Sequence, residues 1–227
     1  MEKVIFLDRD GTLNVEVNYL HRKEDLVLLP GVPEALKAFK DQGYKLVVIT
    51  NQAGVARGYY TEEDVKELHR YMNELLAGQG AGIDAFYYCP HHPEHGIGKY
   101  KIPCHCRKPE TGMFEMAEQD FEVDKASSWM IGDKLIDIEA GRNYGVRTVL
   151  VGTGYGAGVH DEQKKKGVAV VFIGEDLDVL MQLSDRIMVM CGGKVSGIVD
   201  PRKVTKEEIG LMMIRTEQDG EKEEVTE

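Results

Sequence analysis

Residues 4–12 read VIFLDRDGT, an apolar run that leads directly into two aspartates separated by one residue. Four consecutive apolar residues suit a strand that is buried on both faces, as in the middle of a parallel sheet. Four further apolar runs of this kind lie at residues 45–50, 85–89, 128–131 and 148–151, and a sixth at 168–173 is expected to add an edge strand. The chain therefore predicts a sheet of at least five buried parallel strands.

Helical patterns lie between these runs. Pro33 occupies a first-turn position in a stretch that extends to Asp41, and Gly43 follows its end. Thr61 and Asp64 have the spacing of a capping box. The helix that they open is predicted to bury one face made of Val65, Leu68, Met72 and Leu75. Further helices are expected at about 111–120 and 136–144, and alternating strands and helices predict an α/β fold with crossover connections.

Polar side chains follow three of the predicted strands. Asp8 and Asp10 follow the first strand, and Thr50-Asn51-Gln52 ends the second. Gly132-Asp133-Lys134 follows the fourth, with Asp137 one helical turn further on. Because ligands of open α/β sheets bind beyond the carboxyl ends of the strands, we expect these groups to meet at one edge. Ordinary turn and capping aspartates would explain any one site alone, but hardly all three together.

Clustered carboxylates indicate a particular chemistry. They repel one another unless a cation lies between them, and oxygen-only ligands suit Mg²⁺. One carboxylate can then attack phosphorus and form an acyl phosphate. A second carboxylate two residues along an extended chain points to the same side and can protonate the leaving oxygen. The pattern predicts magnesium-dependent phosphoryl transfer to an aspartate.

Three of the 4 cysteines lie in one short segment. Cys89, Cys104 and Cys106 could bind zinc together with one imidazole, in a closed tetrahedral site that leaves no position for substrate. The imidazole could come from any of four nearby histidines, His91, His92, His95 and His105. Such a zinc ion would be structural and would hold the loop that carries Arg107 and Lys108, whereas the alternative is a set of free surface thiols. Cys191 lies apart and is expected to be a small apolar residue.

The composition limits the partners. The chain has 227 residues and a formal net charge of -11, with a pI of about 5.2, which suits neither nucleic acid nor an anionic membrane surface. No apolar run approaches the roughly 20 residues that span a bilayer. Residues 1–7 lack the regions of a signal peptide. We expect a monomeric cytoplasmic protein that acts on a small phosphorylated molecule.

The motifs 8-DRDGT-12, Thr50, Lys108 and Gly132-Asp133 resemble those of the haloacid dehalogenase superfamily of aspartate-nucleophile phosphatases. The resemblance implies a three-layer, Rossmann-like α/β fold with a central parallel sheet and no large cap domain. It also implies that Asp8 is the nucleophile and Asp10 the general acid/base. Asp8, the Asp10 backbone carbonyl and Asp133 would hold Mg²⁺, with Asp137 next to these ligands. Thr50 and Lys108 would stabilise the transferring phosphoryl group.

Residues 89-CPHHP-93, 106-CRKP-109, 50-TNQ-52 and 56-ARG-58 narrow the resemblance to D-glycero-D-manno-heptose 1,7-bisphosphate 7-phosphatases, over about residues 3–180. That family removes the C7 phosphate during the synthesis of nucleotide-activated heptose for lipopolysaccharide or surface-layer glycans. The resemblance selects His91 as the fourth zinc ligand. It implies substrate contacts at Glu16, Val17, Asn18, Tyr19, Thr50, Asn51, Gln52, Ala53, Arg107, Lys108 and Lys134.

Two departures from the usual family pattern fall where the sugar should bind. Ala53 stands in place of a serine, and Glu16-Val17-Asn18-Tyr19 in place of an aspartate-histidine-glycine-tyrosine sequence. The anomer preference and the exact phosphosugar therefore stay open. The alternatives are a histidinol-phosphate phosphatase with the same nucleophile and, from another class, a phosphosugar-binding module without catalysis. The intact set of motif residues favours an enzyme.

The C-terminal part changes character. Residues 180–214 resemble the far end of a sugar- or nucleoside-importing ABC transporter ATPase, but the chain has no Gly-rich phosphate loop, so no ATP binding is expected. Residues 187–190 and 195–199 around Gly192-Gly193 predict a hairpin, and Thr205 with Glu208 caps a short helix. We interpret 1–180 as the phosphatase domain and 181–214 as an appended remnant, with a docking role as the alternative. Residues 215–227 are polar and acidic and are expected to be disordered.

Overall fold

The computed structural model describes residues 1–155, 170–171, 177, 180–181, 186–191 and 194–214. The chain divides into two compact units, Met1–Val171 and Phe172–Glu227. The domain boundary at about residue 180 and the division between appendage and tail stay predictions. The tail expected at 215–227 lies outside the described residues.

The first unit is built on a six-stranded parallel sheet with the order β3-β2-β1-β4-β5-β6. Its strands are β1 (Val4–Leu7), β2 (Lys45–Asn51), β3 (Ala85–Cys89), β4 (Trp129–Gly132), β5 (Arg147–Val151) and β6 (Val170–Val171). The five parallel strands predicted from the apolar runs are confirmed, but only β1 and β2 are buried along most of their length, whereas β3 lies at an edge and β3, β4 and β5 are partly exposed. The sixth run contributes the two-residue edge strand β6.

Helices cover both faces of this sheet, which makes the fold a three-layer α/β sandwich. They are α1 (Val32–Asp41), α2 (Ala53–Ala56), α3 (Glu62–Ala77), α4 (Gly112–Asp120) and α5 (Leu135–Tyr144), with short 3-10 helices at Lys23–Asp25, Gly98–Tyr100 and Lys125–Ser127. Val4 and Phe6 of β1 pack with residues of α4 and α5, whereas Ile5 and Leu7 pack with residues of α1 and α3. This alternation follows from the two-residue period of a strand. Along residues 1–151 the connections contain no large inserted cap domain.

The predicted start of α3 is confirmed, but one predicted core residue is wrong. The Asp64 N–H donates to Thr61 Oγ1 at 3.2 Å, and the Thr61 N–H donates to Asp64 Oδ2 at 2.7 Å. Leu75 was expected on the buried face but is 37% exposed, and Leu76 is fully buried instead. The real helix advances 100° per residue, so after three turns Leu76, four residues beyond Met72, lies closer to the core.

The described part of the second unit contains an antiparallel strand pair and a helix. β7 (Ile187–Cys191) pairs with β8 (Lys194–Val199), and α6 spans Lys206–Ile214. The predicted strands and helix are therefore present, while the expected turn at Gly192-Gly193 lies outside the described residues. The buried core of this described part consists of Ile187, Val189 and Ile209. None of the described helices combines the length and the apolar character that crossing a membrane requires.

Candidate active site

Three carboxylates meet in the interior at the carboxyl edge of the sheet. Asp8 follows β1, Asp133 follows β4, and Asp137 lies in the first turn of α5. All three are buried, and their carboxylate oxygens lie within 4.8 Å of one another. They come together because β1 and β4 are neighbours in the sheet although about 120 residues separate them in sequence.

The chemistry of this cluster fits a divalent cation. Burial raises the pKa of Asp133 to about 7, since the Tyr155 N–H and the charge of Lys134 offset it only in part. Oδ2 of Asp133 accepts the Tyr155 N–H at 2.9 Å. Oδ1 is buried without a hydrogen-bond partner in the described part of the chain. A buried acceptor without a donor is costly, and Mg²⁺ would satisfy it with the oxygen ligands that this ion prefers.

Two glycines allow the backbone to enclose Asp133. A Cβ on Gly11, whose φ is +81°, would lie 2.3 Å from Asp133 Oδ2. A Cβ on Gly154, with φ +54°, would meet the same oxygen at 2.3 Å. Any side chain at either position would therefore displace the carboxylate, and the left-handed backbone adds a second reason for glycine. The loop after β1 and the segment after β5 thus pack directly against the candidate metal ligand.

Lys108 provides the positive charge next to the nucleophile. Its Nζ lies 2.8 Å from Asp8 Oδ1 and 2.6 Å from Asp137 Oδ1, and donates to the Ile49 carbonyl at 2.9 Å. Burial by itself would lower the pKa of Lys108, but the carboxylates of Asp137 and Asp8 raise it, so the ammonium stays charged. Asn51 holds the lysine backbone through two hydrogen bonds, at 3.0 and 3.1 Å. Lys108 is therefore held by the carboxylates at its ammonium group and by Asn51 at its backbone.

The Asp10 carboxylate is held in one orientation by three side chains. Arg9 Nε donates to its Oδ1 at 3.1 Å and Arg9 Nη2 to its Oδ2 at 2.9 Å. Asn14 and Gln52 donate to the same carboxylate at 3.2 and 3.0 Å. Burial would raise the pKa of Asp10, but the charge and hydrogen bonds of Arg9, with the two amides, bring it below its usual range. Asp10 is therefore an ionised carboxylate in this state.

Sequence analysis did not identify Arg9 as part of the site. This arginine is fully buried. Its Nη2 lies 3.2 Å from both the Leu20 carbonyl and Gln52 Oε1, and its Nη1 lies 3.2 Å from His69 Nε2. Burial, with the charge of Arg9, lowers the pKa of His69 to about 3, so the imidazole is neutral and can accept from Arg9. The only available signal was the position of Arg9 between the two motif aspartates.

Thr50 and Gln52 lie beside Asp10 as expected for the end of β2. Thr50 is buried, and its Oγ1 accepts from Gln52 Nε2 at 3.0 Å. Gln52 Oε1 accepts from Tyr60 Oη at 2.7 Å. Ala53 begins α2 and is half-buried. Gln52 therefore joins Thr50 to Asp10.

The other predicted substrate contacts form a more open rim. Lys134 Nζ lies 3.1 Å from Glu16 Oε2, and burial raises the pKa of Glu16. Val17 and Asn18 are exposed. Tyr19 has a left-handed backbone, with φ 59°, and its ring packs edge-on against Tyr59 with 4.7 Å between centroids. A bulky residue rarely adopts this conformation, and such strain is concentrated at functional sites.

Two arginines lie near each other at this rim. Arg107 Nη1 donates to the His91 carbonyl at 3.1 Å, and burial lowers the pKa of Arg107, with the nearby charge of Arg57 acting in the same direction. The Arg57 guanidinium lies 5.9 Å from the Tyr19 ring centroid, and its Nε is buried without a hydrogen-bond partner among the described residues. Two guanidiniums that repel each other favour the binding of an anion between them.

The cysteine loop, residues 89–106, brings together four side chains that could bind one metal ion. Ligand atoms of Cys89, His91, Cys104 and Cys106 lie within 4.8 Å of one another. Nδ1 of His91 lies 3.8 Å from Cys89 Sγ and 3.6 Å from Cys106 Sγ. His105 instead contacts Glu115 at 2.9 Å, and His92 Nδ1 accepts backbone N–H groups at 3.2 and 3.1 Å. Three thiols and one imidazole are the donor set of a closed zinc site.

Comparisons with known proteins agree with this geometry. Residues 105–179 match a family model described as HAD-hydrolase-like. D-glycero-beta-D-manno-heptose-1,7-bisphosphate 7-phosphatase from Haemophilus ducreyi is 47% identical over 165 residues, which are 72% of this chain and 90% of that protein. The chain belongs to the D-glycero-D-manno-heptose-1,7-bisphosphate 7-phosphatase family. Family members are phosphatases of the HAD superfamily, so the chain is a phosphomonoester hydrolase.

Two further relatives refine this assignment. The D-glycero-alpha-D-manno-heptose-1,7-bisphosphate 7-phosphatase from Burkholderia mallei is 46% identical over 149 residues, 66% of this chain and 79% of that protein. The crystal structure of D,D-heptose 1,7-bisphosphate phosphatase from B. bronchiseptica, complexed with magnesium and phosphate, superposes with a TM-score of 0.64. It is 32% identical and covers 74% of this chain and 92% of its own. Since relatives named for either anomer are similarly identical, overall similarity does not assign the anomer.

Proposed function

We propose that this protein hydrolyses the C7 phosphate of D-glycero-D-manno-heptose 1,7-bisphosphate and releases heptose 1-phosphate and phosphate. The observation that carries the proposal is the ion-paired Lys108 next to Asp8, with Arg107 adjacent in sequence on the cysteine loop. Lys108 would stabilise the phosphate that reacts, and Arg107 is available to bind the phosphate that stays on the sugar. Family membership is the second support.

In the first step, an Asp8 oxygen attacks phosphorus and the bond from phosphorus to the C7 oxygen breaks. Asp10, once protonated, gives its proton to the leaving oxygen of the sugar. Lys108 and Thr50 stabilise the charge on the transferring phosphoryl group. In the second step, Asp10 takes a proton from a water molecule that attacks phosphorus, the bond between phosphorus and the Asp8 oxygen breaks, and phosphate is released while Asp8 is restored.

The proposal assigns the two metal sites separately. Mg²⁺ would be held by Asp8, the Asp10 carbonyl and Asp133 with Asp137 alongside, and would supply charge neutralisation for the attack of one anion on another. Zn²⁺, held by Cys89, His91, Cys104 and Cys106, would be structural and fix the loop that bears Arg107 and Lys108. Arg9 keeps Asp10 oriented between its two proton transfers.

The proposed substrate contacts lie around this centre. Arg107 would bind the C1 phosphate through two N–H groups of its planar guanidinium. Lys134 would contact the reacting phosphate on the side where the sugar is attached. The remaining proposed contacts are Glu16, Val17, Asn18, Tyr19, Asn51, Gln52 and Ala53. A monomeric enzyme in the cytoplasm completes the proposal, and size-exclusion chromatography with light scattering would test its oligomeric state.

Phosphate release with Mg²⁺ tests the function. Both anomers of heptose 1,7-bisphosphate and histidinol phosphate are offered to the wild type and to Asp8→Asn. We expect a strong preference for one heptose anomer and no turnover by Asp8→Asn. Preferential hydrolysis of histidinol phosphate would replace the proposed substrate, and the absence of any release would favour the binding module.

A further inference from the structure

The segment after β5 is tied to the candidate metal site by its backbone. Thr153 Oγ1 donates to the Gly11 carbonyl at 2.6 Å, and the Tyr155 N–H donates to Asp133 Oδ2 at 2.9 Å. Between them, Gly154 approaches so closely that a Cβ would lie 2.8 Å from the Gly11 Cα. The position of Tyr155 relative to the carboxylates is therefore set by its own N–H and by the contacts of Thr153 and Gly154, which a change of the Tyr155 side chain leaves in place.

The Tyr155 side chain has a different environment from its backbone. Its ring centroid lies 4.6 Å from Lys134 Nζ, and Lys134 is itself paired with Glu16 at 3.1 Å. The residue is nevertheless 58% exposed. Fixing a large aromatic residue with so much exposed surface beside the metal ligands has no evident benefit for the core. Ligand sites are lined largely by apolar and aromatic side chains with a few polar groups, and the Tyr155 ring, held in place beside Lys134 and the carboxylates, has this surrounding.

We propose that Tyr155 is a specificity-determining residue that contacts the carbohydrate part of the substrate. Phosphate bound at Asp8 and Lys108 leaves the sugar to extend outward past Glu16 and Lys134, where the Tyr155 ring lies. A heptose presents C–H faces that suit an aromatic ring and hydroxyl groups that suit the phenol. No large cap domain is inserted within residues 1–151. A fixed ring at the rim can therefore provide substrate selection that a cap would otherwise provide. The inference rests on the proposed function.

The test separates sugar recognition from phosphate chemistry. Tyr155→Ala, Tyr155→Phe and wild type are assayed with Mg²⁺ on the preferred heptose bisphosphate and on acetyl phosphate, which has no sugar. Tyr71→Ala, which removes a half-buried tyrosine of α3, is the control for loss of a ring elsewhere. We expect Tyr155→Ala to raise KM for the heptose bisphosphate about tenfold with kcat within about twofold, to leave acetyl phosphate turnover unchanged, and Tyr155→Phe to keep most of the affinity.

Three results would overturn the inference, and they can be distinguished. Unchanged kinetics of Tyr155→Ala on the heptose bisphosphate would mean that the ring does not contact the sugar. Equal losses on both substrates would mean that the ring acts through Asp133 or Lys134. A wild type that hydrolyses acetyl phosphate but not the heptose bisphosphate would refute the proposed function, and the inference with it.

Discussion

The catalytic centre of the candidate active site and the cysteine loop of this phosphatase are organised in different ways. The centre gathers Asp8, Lys108, Asp133 and Asp137 from separate elements and buries all of them. The loop gathers its four candidate metal ligands within 89–106, and three of these are only half-buried. Charges in the centre depend on one another because they are removed from water, whereas a bound metal would hold the shape of the loop. Changes in the centre should therefore affect turnover most, and changes in the loop should affect metal content and position.

The largest effect is expected at Lys108. Lys108→Met removes the cation next to Asp8 and should lower kcat about 10³-fold, since the transferring phosphoryl group loses a buried positive partner. Lys37→Met is the matched control, because Lys37 pairs with Asp41 at 2.6 Å in an exposed position. Steady-state phosphate release measures both variants, and similar kcat values for them would contradict the assignment.

A smaller loss of turnover is expected at Arg9, together with a loss of stability. Arg9→Met leaves Asp10, whose side chain is 16% exposed, without its main cation, so the free energy of unfolding should fall by roughly 3 kcal/mol, the lower end for breaking a buried pair. The misoriented Asp10 should lower kcat about 10²-fold. Urea unfolding and initial rates measure the two effects.

Arg9→Lys keeps the charge and removes the fork, so it separates these two effects. We expect it to recover much of the stability and little of the turnover, because a single ammonium cannot hold both carboxylate oxygens. Wild-type turnover in Arg9→Lys would show that the orientation of Asp10 does not depend on the guanidinium.

The cysteine loop should respond differently. Cys106→Ser is expected to lose zinc, measured by mass spectrometry of metals, and to lower kcat/KM about tenfold by loosening the loop that bears Arg107 and Lys108. Cys191→Ser, outside the predicted zinc set, should keep the metal. A zinc-free Cys106→Ser protein with wild-type kinetics would mean that the loop keeps its position without metal.

The smallest effect concerns the pH dependence of stability and involves His69, which contacts Arg9. In the folded protein the pKa of His69 is about 3, against 6.5 for an unperturbed imidazole. As the pH falls, the unfolded chain therefore takes up this proton before the folded chain does. The contribution of His69 to stability is complete above pH 6.5 and is lost as the pH falls toward 3. His69→Gln should flatten this decline by up to about 1.4 kcal/mol per pH unit. Urea unfolding at pH 7, 6 and 5 measures the slopes, and equal slopes in both proteins would contradict the neutral, buried imidazole.

The local patterns predicted most of the framework but not its short elements. The apolar runs located β1 to β5, and the Thr61–Asp64 spacing located the start of α3. The four-residue helix α2 and the three 3-10 helices were not predicted, because one turn has no hydrophobic period to detect. The exchange of Leu75 for Leu76 at the end of α3 has a similar origin, since one residue turns the predicted face by 100°.

By itself, the sequence determined that parallel strands end in carboxylates and that three cysteines and a histidine lie close enough along the chain to share a metal. Periodicity and spacing are local properties, so they can be read without coordinates. Only the tertiary structure decided that Arg9 is buried against Asp10 and His69, and that Tyr155 lies beside Asp133 and Lys134. Arg9 and Asp10 are adjacent in sequence, but the contacts of Arg9 with His69 and of Tyr155 with Asp133 and Lys134 join residues that are distant along the chain. Which side chain pairs with which then depends on how β1, β2, β4 and β5 pack, and no local pattern encodes that choice.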